Sequence, residues 1–357
     1  MKFLPFLLSF IFLILHLSGQ TVVRGEVDIQ HHHHHKQRIT KLFVFGDSYA
    51  DTGNVNPRGF APSWKHPYGV TFPGKPAGRF SDGRVITDYI AEYLKVKSPA
   101  SYRIIKDLTP QHLKSGMNFA ISGTGVFETL NHGSNMTTQI SFFEKTIEDK
   151  VFKTSDIRKS VALVSIAGND YIRYIVTNES IQGLPSFISS VINQTITNII
   201  RIKELGVRKV MISNLQPFGC LPQETVSSSF KQCNETSNNL FVAYHNTLLT
   251  EAVTKLNQQM NDQSSSSFIV LDIYDSFMSV LKHPSTYSIK NELEPCCVGV
   301  SSEYFCGMVV KKVKMYKVCE NPKSAFFWDL SHPTDAGWRA VYTRLRITNA
   351  LKQIHDH

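Results

Sequence analysis

Four short stretches carry near-continuous apolar runs: KLFVFG (Lys41–Gly46), SVALVSIAG (160–168), RKVMIS (208–213) and FIVLDI (268–273). A half-exposed strand alternates apolar and polar residues, so unbroken Val/Ile/Leu/Phe runs predict parallel strands covered on both faces. Between them the period changes. Leu184, Phe187, Ile188, Val191, Ile192, Ile199, Ile202 and Leu205 recur at helical spacing and stop at Gly206, a good C-terminal cap. Asn193 falls roughly opposite that stripe. A second helix is predicted over 234–261, closed by DQSSSS, and a third after Pro333, with Trp338, Val341, Leu345 and Leu351 on one side. Strands alternating with helices predict an α/β fold with an open parallel sheet between helical layers.

In such a sheet, ligands bind beyond the carboxyl ends of the strands. Ser48 follows the first strand in FVFGDSYADTGN, and Asn169 follows a later one in SIAGNDY. Both then face one crevice. Near the C-terminus, FFWDLSHPTDAG sets Asp329 three residues before His332, ahead of a helix whose first turn Pro333 is expected to set. At that offset a carboxylate reaches imidazole Nδ1 and leaves Nε2 to take a proton. Alone, Asp-x-x-His also describes a capping Asp beside a surface His. NFAISGTGVF adds Gly123 after another apolar run, where a glycine lets a backbone amide approach a substrate oxygen. As isolated turns, these glycines and the Asn are ordinary.

Composition narrows the class. With 357 residues and 42% hydrophobic content the chain buries a full core, and 19% charge is too low for a disordered protein. No long linker interrupts it. Residues 1–25 have the shape of a secretory signal peptide: one Lys, then an apolar run of about a dozen residues, short of the roughly 20 a membrane span needs. Cleavage is expected between Ser18 and Glu26. Residues 26–40 are expected to form a flexible His-rich segment containing His31 to His35, and residues 41–354 a single domain. No later segment is apolar for long enough to cross a bilayer.

Export agrees with two further features. Four sequons stand at Asn135, Asn178, Asn193 and Asn234. The six cysteines lie between Cys220 and Cys319, without the Cys-x-x-Cys spacing of a zinc site. Cys220 and Cys233 read as one local loop; Cys296 and Cys297 are expected to pair separately with Cys306 and Cys319, with the partners left open. The formal charge of +9 is spread along the chain. Its densest run, KKVKMYK (311–317), reads as a solvated loop, with weak attachment to an acidic cell-wall or lipid surface as the alternative. Nucleic acid is not an expected partner, since no binding motif accompanies the charge.

Taken together, FGDSYADTGN, NFAISGTG, GND and DLSHP, in this order, resemble the four signature blocks of the GDSL esterase/lipase family in the SGNH hydrolase superfamily. GRFSDGRVITDYIAEYL and the CLP and PCC contexts are similar to its plant secreted branch. The resemblance runs from residue 41 to the C-terminal helix. It implies a flavodoxin-like three-layer α/β/α sandwich with a central parallel sheet, and hydrolysis of small-molecule or lipid acyl esters by an extracellular enzyme. It assigns Ser48 as nucleophile, His332 as general base and Asp329 as the residue orienting it. The amides of Ser48 and Gly123 and the side chain of Asn169 become the oxyanion hole. No metal or organic cofactor is expected.

Two positions depart from the family pattern. Ser122 stands where many plant members have the first of two glycines, and Tyr49 stands where the family name has Leu. Asp47 reads as holding the turn and not as a chemical participant. The segment 55–80, rich in Pro, Gly and aromatics, reads either as a pocket-shaping loop or as a packed surface loop. Gly-x-Ser-x-Gly is absent, against an α/β-hydrolase; GTGVFE lacks the third Gly of a dinucleotide site; and there is no HExxH. Two other functions use the same blocks: a carbohydrate O-deacetylase or acyltransferase, and a catalytically silent glycan- or protein-binding relative. The silent reading requires a blocked pocket or a misplaced loop.

Overall fold

The computed structural model describes residues 38–129, 133–166, 168–177, 180–260 and 266–355. The signal-like and His-rich segments therefore lie almost wholly outside the described residues, as does Asn178. Six parallel strands make the central sheet: β1 (Lys41–Gly46), β2 (Ala100–Ser101), β3 (Gly116–Asn118), β4 (Ser160–Ser165), β5 (Lys209–Ser213) and β6 (Phe268–Leu271), ordered β2-β3-β1-β4-β5-β6. Every residue of β1, β4 and β5 is buried, as unbroken apolar runs require. The expected strands are all present, β1 with the expected bounds and the other three trimmed by one to three residues. β2 and β3 are additional. Neither has the length or the apolar run that would announce a strand.

The described α-helices are α1 (Ile86–Tyr93), α2 (Met136–Glu148), α3 (Thr154–Arg158), α4 (Gly168–Val176), α5 (Leu184–Glu204), α6 (Pro222–Thr225), α7 (Glu235–Ser237), α8 (Ala243–Gln259), α9 (Ile273–Lys282) and α10 (Asp335–Ile347). α2, α5 and α8 pack in series on one side of the sheet, and α1, α10 and α9 in series on the other. The result is the expected three-layer α/β/α sandwich. Alternation along β1 feeds one layer: Phe43 and Phe45 both meet Phe143 of α2, with ring centroids 4.6 and 5.7 Å apart. In the other layer, Phe277 of α9 packs edge-on against Trp338 of α10 at 5.9 Å.

Three helical expectations change in detail. The helix predicted over 234–261 is α7, a π-helical turn over Asn238–Val242, and α8. At the wide turn Phe241 is buried and stacks on Tyr171 at 4.7 Å. Leu351 is buried but lies beyond the end of α10, because Thr348 turns out of the helix with extended backbone. Pro333 precedes α10 instead of occupying its first turn; Thr334 is the cap, its hydroxyl accepting from the Gly337 amide at 2.8 Å.

Setting aside edge strand β2, the order is that of a doubly wound flavodoxin-like sheet, whose direction of winding reverses between β1 and β4. The crevice expected at that reversal lies above Ser48 and Asn169. A small satellite core lies under the excursion after β6, where Tyr68, Phe80 and Trp328 pack with Cys296, Cys297 and Cys306. Here β7 (Cys297–Gly299) pairs antiparallel with β10 (Tyr316–Val318), and β8 (Val309–Val310) with β9 (Val313–Lys314). Disulfides join Cys220 to Cys233, Cys296 to Cys319 and Cys297 to Cys306. KKVKMYK supplies the β8–β9 turn and much of β10, with Lys311, Lys312, Lys314 and Lys317 exposed.

Candidate active site

The first strand ends on Gly46 because nothing larger fits. Its φ is +151°, and a Cβ there would sit 2.1 Å from the Ser165 carbonyl oxygen. The backbone of Gly46 is held by a side chain from α2: Gln139 Oε1 accepts its N–H at 2.8 Å, and Nε2 donates to its carbonyl at 2.9 Å. The same Nε2 donates to Thr124 Oγ1 at 3.0 Å, tying the end of β1 to the loop after Gly123. Asp47 then turns the chain, its amide donating to Ser165 O at 3.0 Å and its carboxylate accepting from the Tyr49 amide at 3.0 Å. Burial pushes the Asp47 carboxyl up to about 7, against the lowering effect of the Tyr49 amide and of His332. Those contacts match the turn-holding role read from sequence.

Ser48 stands at the mouth of the crevice, its Oγ 2.8 Å from His332 Nε2. His332 Nδ1 lies 2.7 Å from Asp329 Oδ1 and 3.0 Å from Oδ2. Three side chains separated by up to 284 positions thus form one hydrogen-bonded line. Asp329 also accepts from the amides of Ser331 and His332, each at 2.9 Å, and from the Tyr68 hydroxyl at 2.7 Å. Burial alone pushes its carboxyl up. The charge of His332 and the hydrogen bonds from His332, Ser331 and Tyr68 outweigh burial and hold the carboxyl below the ordinary carboxylate value.

The loop carrying His332 is braced on several sides. Tyr49, the departure from the family's Leu, donates its hydroxyl to Ser331 O at 2.8 Å and sets its ring edge-on to His332. The Phe80 ring also lies against His332, with ring centroids 4.9 Å apart. Asp82 accepts the Asp335 amide at 2.7 Å, and Asp335 accepts the Arg84 amide at 2.8 Å, so the GRFSDGR block clamps the start of α10.

Across the crevice, the chain around Gly123 is held by carboxylates it does not share with solvent. Asp51 accepts the amides of Gly53, Asn54 and Ser122 at 2.7, 2.6 and 2.9 Å. Asp170 accepts those of Val126 and Phe127 at 2.8 and 2.9 Å, while burial pushes its carboxyl up to about 6. Asn169 Nδ2 donates to Thr124 O at 2.9 Å, leaving its second N–H for another acceptor. Gly123 has φ +77°, the conformation that favours glycine, whereas Ser122 has no such constraint; that is why a side chain is tolerated at 122. Among the described residues, neither the Ser48 amide nor the Gly123 amide donates an intramolecular hydrogen bond, although the amides of Asp47, Tyr49 and Ser122 all do.

Ser48, Gly123, Asn169 and His332 line one cavity of ≈ 340 Å³, whose apolar wall includes Ile172, Phe218 and Trp338. Residues 42–345 match the family described as GDSL-like Lipase/Acylhydrolase. The chain belongs to this family. It is an ester-bond hydrolase of the GDSL esterase/lipase type. One Arabidopsis thaliana GDSL esterase/lipase is 50% identical over 347 residues, covering 96% of this chain and 95% of the relative. A second from the same plant is 47% identical over 323 residues, covering 88% and 90%. Among solved structures, a lipase from a goat rumen metagenome aligns with 13% identity and a TM-score of 0.41, over 87% of this chain and 98% of that one.

Two parts of this GDSL hydrolase's site were not singled out in the sequence. Tyr68 sits in the ambiguous segment 55–80, which also contributes Pro62 and Phe80 to cavity walls. Gln139 left a usable signal: a polar residue on the α2 stripe formed by Met136, Ile140 and Phe143, with no exposure at all. The sequons do not converge on the site. Asn193 on α5 and Asn234 are exposed; Asn135 is half-buried and caps α2, its side-chain oxygen accepting from the Thr138 amide at 2.9 Å.

Proposed function

We propose that this GDSL hydrolase is a secreted, N-glycosylated serine esterase that cleaves carboxylic acyl esters through Ser48, His332 and Asp329. The observation that carries the proposal is the line Ser48 Oγ, His332 Nε2, His332 Nδ1, Asp329 Oδ1, with gaps of 2.8 and 2.7 Å. His332 takes the Ser48 proton as Oγ attacks the ester carbonyl, and ionised Asp329 stabilises the imidazolium that forms. The tetrahedral oxyanion accepts from the Ser48 and Gly123 amides and from Asn169 Nδ2, donors worth about 10²–10³-fold each in comparable sites. His332 then passes the proton to the leaving alcohol oxygen as the C–O bond breaks. Water, deprotonated by the same imidazole, releases the acid and restores Ser48.

An open cavity beside Ser48 counts against the catalytically silent reading. Three disulfides with no free cysteine among the described residues support an oxidising compartment, and no helix among those residues is long and apolar enough to cross a membrane. Exposed Asn193 and Asn234 suit glycans. The exposed lysines of the β8–β9 turn fit a solvated loop; the alternative, weak attachment to an acidic cell-wall or lipid surface, requires binding that roughly 0.5 M salt releases.

The test is hydrolysis of p-nitrophenyl esters from short to long acyl chain by the secreted protein, with Ser48→Ala beside it. Loss on the order of 10⁴-fold or more in kcat is expected for the variant. Activity retained by Ser48→Ala would overturn the assignment.

A further inference from the structure

A second cleft also borders His332. This cavity of ≈ 330 Å³ is walled by Pro62, Tyr68, Phe80, Val298, Phe305 and Leu330, and floored by the Cys297–Cys306 disulfide. Phe80, Ser331 and His332 line both this cleft and the cavity containing Ser48, so the two spaces adjoin at these side chains. Its volume is at the lower end of small-molecule sites, about 300–1,000 Å³. Of the lining residues, Phe305 and Leu330 remain 45% and 37% exposed.

An ester has two halves, and the proposed chemistry sends them apart. The carbonyl oxygen faces the Ser48, Gly123 and Asn169 donors inside the first cavity. The alcohol oxygen must receive its proton from His332, so the body of the alcohol extends to the His332 side. There the lining is apolar, with one carboxylate, Asp329, whose oxygens are already engaged by His332, Ser331 and Tyr68. A sugar seated here would bury hydroxyls without partners, a penalty that an alkyl chain does not incur.

Resting on the esterase reading, we infer that the second cleft holds the alcohol half of the substrate, and that this half is an apolar alkanol and not a sugar. The first cavity then takes the acyl group. The enzyme discriminates esters by both ends, and the disulfide-stapled excursion after β6 sets the choice of alcohol.

Acetate esters of methanol, 1-butanol and 1-octanol test this, because the acyl group is constant and the leaving alcohols have similar intrinsic reactivity. In wild type, kcat/KM should rise about tenfold or more from methyl to octyl. Val298→Trp, which fills the cleft, should bring the octyl-to-methyl ratio close to one, and the milder Phe305→Ala should lower it several-fold. A flat wild-type series, or an octyl preference untouched in a folded Val298→Trp protein, overturns the inference. Calorimetric titration of 1-octanol into Ser48→Ala protein, with and without Val298→Trp, decides independently of turnover. Binding weakened about tenfold by Val298→Trp supports the cleft even if no ester is cleaved, in which case the esterase reading alone falls. No binding, or binding that Val298→Trp leaves unchanged, overturns the cleft assignment whatever the enzyme hydrolyses.

Discussion

The Tyr68 hydroxyl donates to Asp329 Oδ2 at 2.7 Å, while Asp329 Oδ1 lies 2.7 Å from His332 Nδ1. A residue from a Pro- and Gly-rich loop thus completes the coordination of the carboxylate beside His332, the group proposed to orient the base. Tyr68 is buried, and burial together with Asp329 pushes its hydroxyl well above the ordinary tyrosine value, so it remains a donor throughout the working pH range. Hydrogen bonds to a charged group contribute about 1.5–3 kcal/mol.

Tyr68→Phe should therefore lower kcat roughly 3- to 30-fold with little change in KM, since the hydroxyl touches Asp329 and not the ester. It should also raise the pH of the acid limb of the rate profile, because a carboxylate with one donor fewer holds the His332 proton more tightly. The measurement is kcat against pH for both proteins. An acid limb at the wild-type pH, whatever happens to the rate, would reduce Tyr68 to packing.

Asp47 predicts a slope in stability. Its carboxyl is pushed by burial from the ordinary 3.8 to about 7. Between those values the unfolded chain has released the proton and the folded chain still holds it, so folding binds protons and stability falls as pH rises from about 4 to 7. Asp329, held low, contributes in the opposite sense: its stabilisation is present above 3.8 and lost as pH falls below that. Asp47→Asn keeps an oxygen to accept the Tyr49 amide and removes the titration. Its melting temperature should be flatter than wild type across that window, by a few degrees. Parallel curves would mean that Asp47 is not the source of the slope.

Gln139 satisfies both backbone groups of Gly46 and the Thr124 hydroxyl from a fully buried position. Gln139→Leu strands the Gly46 N–H, at about 1–3 kcal/mol, while the Gly46 carbonyl keeps the Ile121 amide at 3.0 Å and the Thr124 hydroxyl at 2.9 Å. Chemical denaturation should show a loss of roughly 1–3 kcal/mol, and the surviving fold should lose kcat more than affinity, because Ser48 and the Gly123 loop hang from Gly46 and Thr124. Wild-type stability in Gln139→Leu would show that the clamp is dispensable.

Much of the frame was legible along the chain because it is made of local signals. Unbroken apolar runs marked β1, β4, β5 and β6, since a strand covered on both faces has no polar side to show. The stripe ending at Gly206 marked α5. Asp329 and His332 were readable as a pair because three residues of turn suffice to bring them together. Short β2 and β3 carried no such mark, and the π-helical turn before α8 leaves no imprint on an averaged helical period.

By itself the sequence determined the layers of this protein, the strands that Ser48 and Asn169 follow, and the family to which it belongs. Only the tertiary structure decided which distant groups hold those residues in place. Tyr68 meets Asp329 across 261 positions, Gln139 meets Gly46 across 93, and Asp51 meets Ser122 across 71. Periodicity reports what a segment needs to bury; it does not name the partner that satisfies a buried polar atom. That partner exists only once the sheet has wound and the loops have closed over it.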